Sequence, residues 1–262
     1  MNYGLYLSAS GVLTNTYRQD VFANNLANVE TPGFKPDIPT VRQRDPESIE
    51  DGLGMDVSQE LLDKLGGGVL AGRQRINFKQ GPLRASHQPL DVALLDKRQF
   101  FAVESINPET GQADVALTRD GRFTINGQNE LVTQAGHRVL DASGQAIVVD
   151  ATGQASIDEA GRLLINGVPT GRAIQVAEVD DLDALTKRGQ GLFVFSGPGT
   201  ARVLPEESVR VKPGHYEASG VDPIMAMMNV VAATKAITSN ANMIRYHDQL
   251  LDRAVNTLGR VG

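Results

Sequence analysis

Four histidines, His87, His137, His215 and His247, are the side chains best suited to hold a metal or move a proton. They are scattered along the chain, with no i, i+4 pair and no H-E-x-x-H string, so the spacing of a helical zinc site is absent. The expectation is surface or turn histidines. Carboxylates gather at Asp158-Glu159 and at Asp180, Asp181 and Asp183, where two could act as acid and nucleophile in glycoside hydrolysis. No aromatic sugar platform accompanies them and the sequence lacks Trp, which favours solvated loops. Ser196-Gly197-Pro198-Gly199-Thr200 has loop glycines but no following Lys and no helical pattern, both of which a phosphate cradle needs. No catalytic residue, metal ligand or cofactor is assigned. A cell-wall hydrolase carried by the middle of the chain stands as the enzymatic alternative.

The 262 residues are 41% hydrophobic, enough for a substantial core. A net charge of -6, with no stripe of Lys and Arg, argues against a nucleic-acid or anionic-membrane surface. Without Cys there is neither a disulfide framework nor a thiolate metal site. No stretch reaches the roughly 18 apolar residues of a membrane span. Ser8, Ser10, Thr14, Asn15 and Arg18 interrupt the apolar residues near the N-terminus, so no cleaved secretory signal is expected and export would use an uncleaved sequence.

The elements that must position any site are helical at both ends and β-rich between. From Pro223 to Leu258 a 3-4 spacing runs through Met227, Val230, Thr234, Ile237, Ala241, Ile244, Asp248, Leu251, Val255 and Leu258, the pattern of a coiled-coil seam. Asp222 and Pro223 are suited to the N-cap and the first helical position. Near the N-terminus, Leu5, Ala9, Val12, Thr16, Ala23 and Leu26 line one side of a helix, and Tyr6, Leu13, Tyr17 and Val21 a neighbouring side. That helix is predicted from about Tyr3 to Asn28, ending before Thr31-Pro32-Gly33. The expected fold class is α+β, with the terminal helices forming a coiled-coil pair around a mainly antiparallel middle. Expected domains are an N-terminal helical segment over 1–35, an extended linker over 36–75 with a short helix near Val57 to Leu65, β-rich outer structure over 76–216, and a C-terminal helical segment over 217–262.

Strands are signalled by Asp91-Val92-Ala93-Leu94-Leu95, Phe100-Phe101-Ala102-Val103, Ala146-Ile147-Val148-Val149 and Leu192-Phe193-Val194-Phe195. An echo between Asp120–Gly127 and Asp158–Gly167 ends in Asn-Gly both times, the favoured pair of a two-residue type I′ hairpin. The plainer account is two hairpins with common turn chemistry.

Ordering a 36-residue helix costs about 1–2 kcal/mol of backbone entropy per residue, while each buried large side chain returns roughly 1.5–3 kcal/mol. About eight apolar seam positions fall short without several neighbours. Further apolar lines at Ile224, Met228 and Val231 and at Met243 and Leu250 let one helix touch more than one partner. The ends are therefore expected to gain order on assembly.

Residues Ala23 to Lys35 read ANNLANVETPGFK, which resembles the N-terminal signature of bacterial flagellar rod and hook proteins. QGPLRASHQPLDVAL from Gln80, LTRDGRFTINGQNELVTQAGHRVL from Leu117 and YEASGVDPI from Tyr216 resemble the rod subset, nearer the proximal than the distal rod type. The final helix departs from the family pattern at Met225-Ala226 and at Thr234-Lys235-Ala236-Ile237, while Asn240 agrees with it. The resemblance implies a non-enzymatic structural subunit whose paired helices build an inner tube, with β-rich domains facing outward. It implies partners among copies of itself and other rod or hook proteins, export through the flagellar type III apparatus, and a place in the periplasmic rod of the basal body. Nucleic-acid binding, membrane insertion and cofactors are not expected. A distal rod or hook-family axial protein is the alternative, and the length favours rod over hook. The assembly residues so expected are Leu5, Val12, Asn24, Asn25, Leu26, Asn28, Gly33, Phe34, Met227, Val230, Ile237, Ala241, Ile244, Leu251, Val255 and Leu258.

Overall fold

The carboxylate of Asp222 accepts hydrogen bonds from the backbone amides of Ile224 at 2.9 Å and Met225 at 3.1 Å, and Pro223 follows at the first helical position. With no interior Gly or Pro, the helix then continues unbroken to Leu258. The computed structural model describes residues 3–45, 67–107, 110–149, 153–197, 199 and 201–258. The helix expected near Val57 to Leu65 lies outside them, as do Pro198 and Thr200. The chain divides into two compact units, one formed by Met1–Ala27, Asp37–Arg75 and Asp222–Gly262, the other by Asn28–Pro36 and Ile76–Val221.

The first unit contains α1 (Tyr3–Ala27), β1 (Asp37–Ile38), β2 (Val41–Arg44), β3 (Gly68–Ala71), the start of β4 (Arg75–Ile76) and the C-terminal helix α2 (Pro223–Leu258). β2 and β3 pair antiparallel, Val41 opposite Ala71. β3 is fastened to α1 by the Thr14 hydroxyl, which donates to the Val69 carbonyl at 3.1 Å, and by Tyr17, whose hydroxyl reaches the Gly72 carbonyl at 3.3 Å. The two helices run antiparallel. A Cβ on Gly4 would fall 2.7 Å from His247 and one on Gly11 2.8 Å from Asn240, while Gln19 donates to the Thr234 hydroxyl at 3.2 Å.

This geometry overturns the expected coiled-coil pair. Met227 is 58% exposed and Val255 70%, and Asp248 and Leu251 also face solvent. The surface turned to α1 instead carries Ala226, Ala233, Asn240 and His247, with Val230, Ile237 and Ile244 at its margin. The physical reason is the glycines of α1. They let a backbone approach small and polar residues closely, so the largest apolar side chains of α2 remain outside the contact. An apolar spacing identifies a greasy helix face without identifying what covers it.

The second unit is β-rich, and its recorded ladders are antiparallel. Its strands are β5 (Leu83–Ala85), β6 (Val92–Leu94), β7 (Gln99–Ile106), β8 (Ala113–Thr118), β9 (Phe123–Ile125), β10 (Leu131–Thr133), β11 (Arg138–Val139), β12 (Ala155–Ile157), β13 (Arg162–Ile165), β14 (Val168–Ala173), β15 (Val176–Val179), β16 (Leu185–Gly189), β17 (Leu192–Phe195), β18 (Ala201–Val203), β19 (Val211–Pro213) and β20 (His215–Glu217). A nine-stranded sheet follows the order β16-β17-β8-β7-β11-β10-β9, with β15 joining β7 to β18. β12, β13 and β14 form a second sheet, and β19 pairs β6 as β20 pairs β5.

Successive side chains of a strand point to opposite faces, so the run Phe100-Phe101 supplies two cores. Phe101 packs edge-on to Phe123 at 5.2 Å in the larger one. Phe100 meets Phe193 at 5.7 Å and Phe78 at 5.9 Å in the smaller. Burial on both faces explains why β7 reads as a continuous apolar run. The Ala146–Val149 run behaves differently, making isolated bridges to Leu140 and Glu130 outside any named strand although Ile147 is fully buried.

The two Asn-Gly pairs also differ. Asn166 and Gly167, at φ 50° and 80°, form the expected two-residue turn between β13 and β14. Asn126-Gly127 instead opens a longer loop, because the Asn126 carboxamide oxygen accepts from the amides of Gln128 and Glu130, both at 2.9 Å, and holds the chain open.

Candidate functional site

Lys35, Arg119 and Glu217 are each almost completely buried in the second unit. Lys35 ends the ANNLANVETPGFK segment, Arg119 follows β8, and Glu217 ends β20. The Lys35 ammonium donates to Glu217 Oε1 at 2.6 Å and to the Lys79 carbonyl at 3.0 Å. Arg119 Nε donates to Glu217 Oε2 at 2.8 Å, and its Nη2 lies 2.6 Å from the same oxygen. Arg119 Nη1 reaches the carbonyls of Asp96 and Gln99. The Gly81 amide gives Glu217 Oε1 a further donor at 2.7 Å. Two cations therefore share one carboxylate, and the carbonyls of Lys79, Asp96 and Gln99 take further donors. Unpaired, each buried ion would cost several kcal/mol.

Burial lowers the Lys35 pKa to about 8, the Arg119 cation adds to that effect, and Glu217 opposes it. At neutral pH the lysine remains an ammonium. Glycines make the approach possible. Gly33 sits at φ +65°, and a Cβ there would lie 2.6 Å from the Arg119 carbonyl carbon, while one on Gly81 would lie 2.3 Å from the Ala218 oxygen. The Gly33 amide donates to the Glu217 carbonyl at 2.8 Å, and the Gly220 amide to the Phe34 carbonyl at 2.9 Å. Phe34 is buried, with the Lys187 ammonium 4.0 Å above its ring. Four separated stretches singled out in the sequence thus meet through Lys35, Gly81, Arg119 and Glu217.

In the first unit Asn25 holds the chain leaving α1. Its carboxamide donates to the Asp37 carbonyl at 2.8 Å and accepts from the Asp37 amide at 2.8 Å, imitating a strand neighbour. Asn28 accepts from the Thr31 hydroxyl at 3.1 Å and, through its carbonyl, from the Thr31 amide at 3.2 Å.

Among the expected assembly residues, Asn24, Met227, Leu251 and Val255 are exposed. Leu5, Val12, Leu26, Asn28, Val230, Ile237, Ala241 and Ile244 are half-buried, whereas Asn25, Gly33 and Phe34 are buried within the chain. Leu258 closes α2, and its side chain lies outside the described residues. Ile224, Met228, Val231 and Tyr246 extend the exposed apolar surface of α2, and Tyr6 and Leu13 add to that of α1. Helices stabilised by packing ordinarily bury such residues, so these two helices carry an unusually apolar exposed surface.

The chemical candidates resolve into turns. Asp181 caps a short 3-10 turn by accepting from the Asp183 amide at 3.0 Å, and Asp158 accepts from the amides of Ala160 and Arg162 at 2.9 and 2.8 Å. His215 lies 2.9 Å from the Pro213 carbonyl, and His247 packs at Gly4. No group of three or more metal-ligating side chains occurs among the described residues.

Three family descriptions match the chain: flagella basal body rod protein over residues 5–35, flagellar hook protein FlgE/F/G D1 domain over 96–165, and flagellar basal body rod FlgEFG protein C-terminal over 212–257. The flagellar basal-body rod protein FlgF of Caulobacter vibrioides is 31% identical across 100% of both chains. The chain belongs to the flagellar basal-body rod protein family. Among its other rod-family relatives, FlgG of Bacillus subtilis is 27% identical over 96% of this chain and 97% of its own. The flagellar hook-basal body complex protein FlhO of the same organism is 26% identical over 98% of this chain and 99% of its own. As a rod-family member the protein is a structural subunit of the flagellar basal body and assembles with other rod proteins. The buried knot is the feature that sequence reading missed. Its signal was present only as family-like strings, because no single Lys, Arg or Glu announces a partner so far away.

Proposed function

We propose that this rod subunit assembles helically through the exposed apolar flanks of α1 and α2, and that the rod so formed transmits torque from motor to hook. Leu13 is 72% exposed on α1, and Met227 and Val255 are exposed on α2, a combination that leaves a monomer with a costly wet surface. Repeated contacts that do not close into a ring extend as a filament. On this reading the helical segments over 1–35 and 217–262 belong to an inner tube, 76–216 faces outward, and 36–75 links them. The residues named for assembly act there directly or, like Asn25 and Gly33, by fixing the chain that leads into the helices.

The proximal rod type is supported by the 31% identity to FlgF of Caulobacter vibrioides, against 29% to FlgG of the same organism. The subunit works without catalysis or cofactor, reaches the periplasmic rod through the flagellar type III apparatus with its N-terminus uncleaved, and binds neither nucleic acid nor membrane lipid. Among the described residues no helix is long and apolar enough to cross a membrane.

Replacing Met227 and Val255 together with Glu places charge on the flank and leaves the intrachain contact untouched. The double variant is expected to keep the circular dichroism of the parent while abolishing swimming and its own incorporation into isolated basal bodies. Normal incorporation overturns the proposal.

A further inference from the structure

The chain passes between its two units at Ala27–Asn28, Pro36–Asp37, Arg75–Ile76 and Val221–Asp222. Inside the β-rich unit, the segments beside the last three of these passages are joined to one another. The Asn77 amide donates to the Pro36 carbonyl, the Ala218 amide to the Pro82 carbonyl and the Gly220 amide to the Phe34 carbonyl, each at 2.9 Å. The second and third segments continue as the antiparallel pair β5 and β20, with Leu83 opposite Glu217.

All three segments meet at one carboxylate. Glu217 belongs to the third, Lys35 of the first and the Gly81 amide of the second both donate to its Oε1, and Arg119 donates to Oε2 from just beyond β8. Arg119 also donates to the carbonyls of Asp96 and Gln99, where β7 begins. The carboxylate is thereby tied to two neighbouring strands of the large sheet.

As a source of equilibrium stability this arrangement is a poor one. Two cations and an acid are taken out of water, and replacing buried ion clusters with apolar side chains of similar volume is often neutral or stabilising. Resistance to a pull is a different property. Backbone bonds at an exposed strand edge can open one at a time, with water replacing each. Glu217 cannot move without losing Lys35, Gly81 and Arg119 together, and its burial keeps water from taking their place. Bonds between charged groups are also roughly twice as strong as neutral ones. We propose that the Glu217 carboxylate is a mechanical clamp, which holds the three segments to the large sheet as one block when force runs along the chain from one unit to the other. The purpose of such a clamp rests on the torque-transmitting reading above, whereas its strength is measurable in a single molecule outside any rod.

The chain has no Cys, so Ile224→Cys and Ser143→Cys, both at exposed positions, give unique handles at the start of α2 and on the β-rich unit. Pulling them apart in an optical trap loads Glu217 from the Asp222 side. The force of the first rupture is expected to fall to about half the parent's or less in Glu217→Gln, which takes the charge from the acceptor. Ile147→Ala opens a cavity in the main core without touching the clamp, and should lower the urea midpoint while leaving that force unchanged. Lys35→Met leaves Arg119 and Glu217 as a neutral pair and frees only the first segment, so it should give an intermediate force, and it carries the test if Glu217→Gln does not fold. Replacing Met227 and Val255 with Glu, which stops assembly on the reading above, should leave the force at the parent's value, so the two readings fail separately. A parent-like force in whichever of the two clamp variants folds, or an equal loss in Ile147→Ala, overturns the clamp.

Discussion

The Lys35 ammonium lies 2.6 Å from the Glu217 carboxylate, across 182 residues of sequence, and both side chains are sealed from solvent. Arg119 approaches the other oxygen of the same carboxylate. A single carboxylate from near the C-terminus therefore faces two cations, one from near the N-terminus and one from the middle of the chain.

Glu217→Gln removes that charge and leaves two buried cations without a counterion. Destabilisation of about 3–5 kcal/mol is expected, the usual effect of breaking a buried pair from one side. Urea unfolding followed by far-UV circular dichroism measures it, and an unchanged midpoint would show that the cations are neutralised by other means.

Lys35 also predicts a pH dependence. Its folded pKa of about 8 lies below the ordinary value of 10.5, so between these values the unfolded chain retains a proton that the folded chain has released. Its contribution to stability thus rises with pH through this window, by up to about 1.4 kcal/mol per pH unit, and is flat below it. Lys35→Met removes the effect. The stability difference between parent and variant should shift in the parent's favour from pH 8 to 10.5, and parallel profiles there would contradict it.

The close helix contact is open to a double-mutant cycle. Gly11→Ala drives a methyl to 2.8 Å from the Asn240 carboxamide, whereas Asn240→Ala clears the space. Combining them should recover the loss, with a coupling energy of about 0.5–3 kcal/mol. Simple additivity of the two thermal shifts would mean that these residues do not meet.

Asn25→Asp keeps an acceptor for the Asp37 amide but turns a carboxylate towards the Asp37 carbonyl. Losing that buried bond costs about 1–3 kcal/mol, and Asn25→Leu should cost more because both bonds go. Motility should fall in the same order if the loop fixed by Asn25 guides assembly. Parent-like swimming and stability in both variants would rule this out.

The end of α2 should open first. Leu250 and Val255 are exposed and lie beyond His247, which Gly4 in the first turn of α1 already meets. Amide hydrogen exchange in the monomer is expected to be fastest over the last turns and to slow as polymer forms. Uniform protection along the helix at low concentration would refute the idea that the ends gain order on assembly.

Much of this was legible because it is local. Asp222-Pro223 specifies a helix start through backbone amides two and three residues away, Thr31-Pro32-Gly33 follows a helix end, and Asn166-Gly167 suits the left-handed angles of its turn. Phe100-Phe101 likewise reads as a strand buried on both faces. Asn126-Gly127 escaped because the carboxamide chose loop amides that composition does not reveal.

By itself the sequence determined the helical ends, the β-rich middle and the flagellar kinship, since each is written in contiguous residues. Only the tertiary structure decided that Gly4 and Gly11 would meet His247 and Asn240 of α2 and leave Met227 and Val255 outside. It alone decided that Lys35, Arg119 and Glu217 would form one knot. Side-chain chemistry states what a residue can bind, but the path of the backbone determines which partner comes within reach.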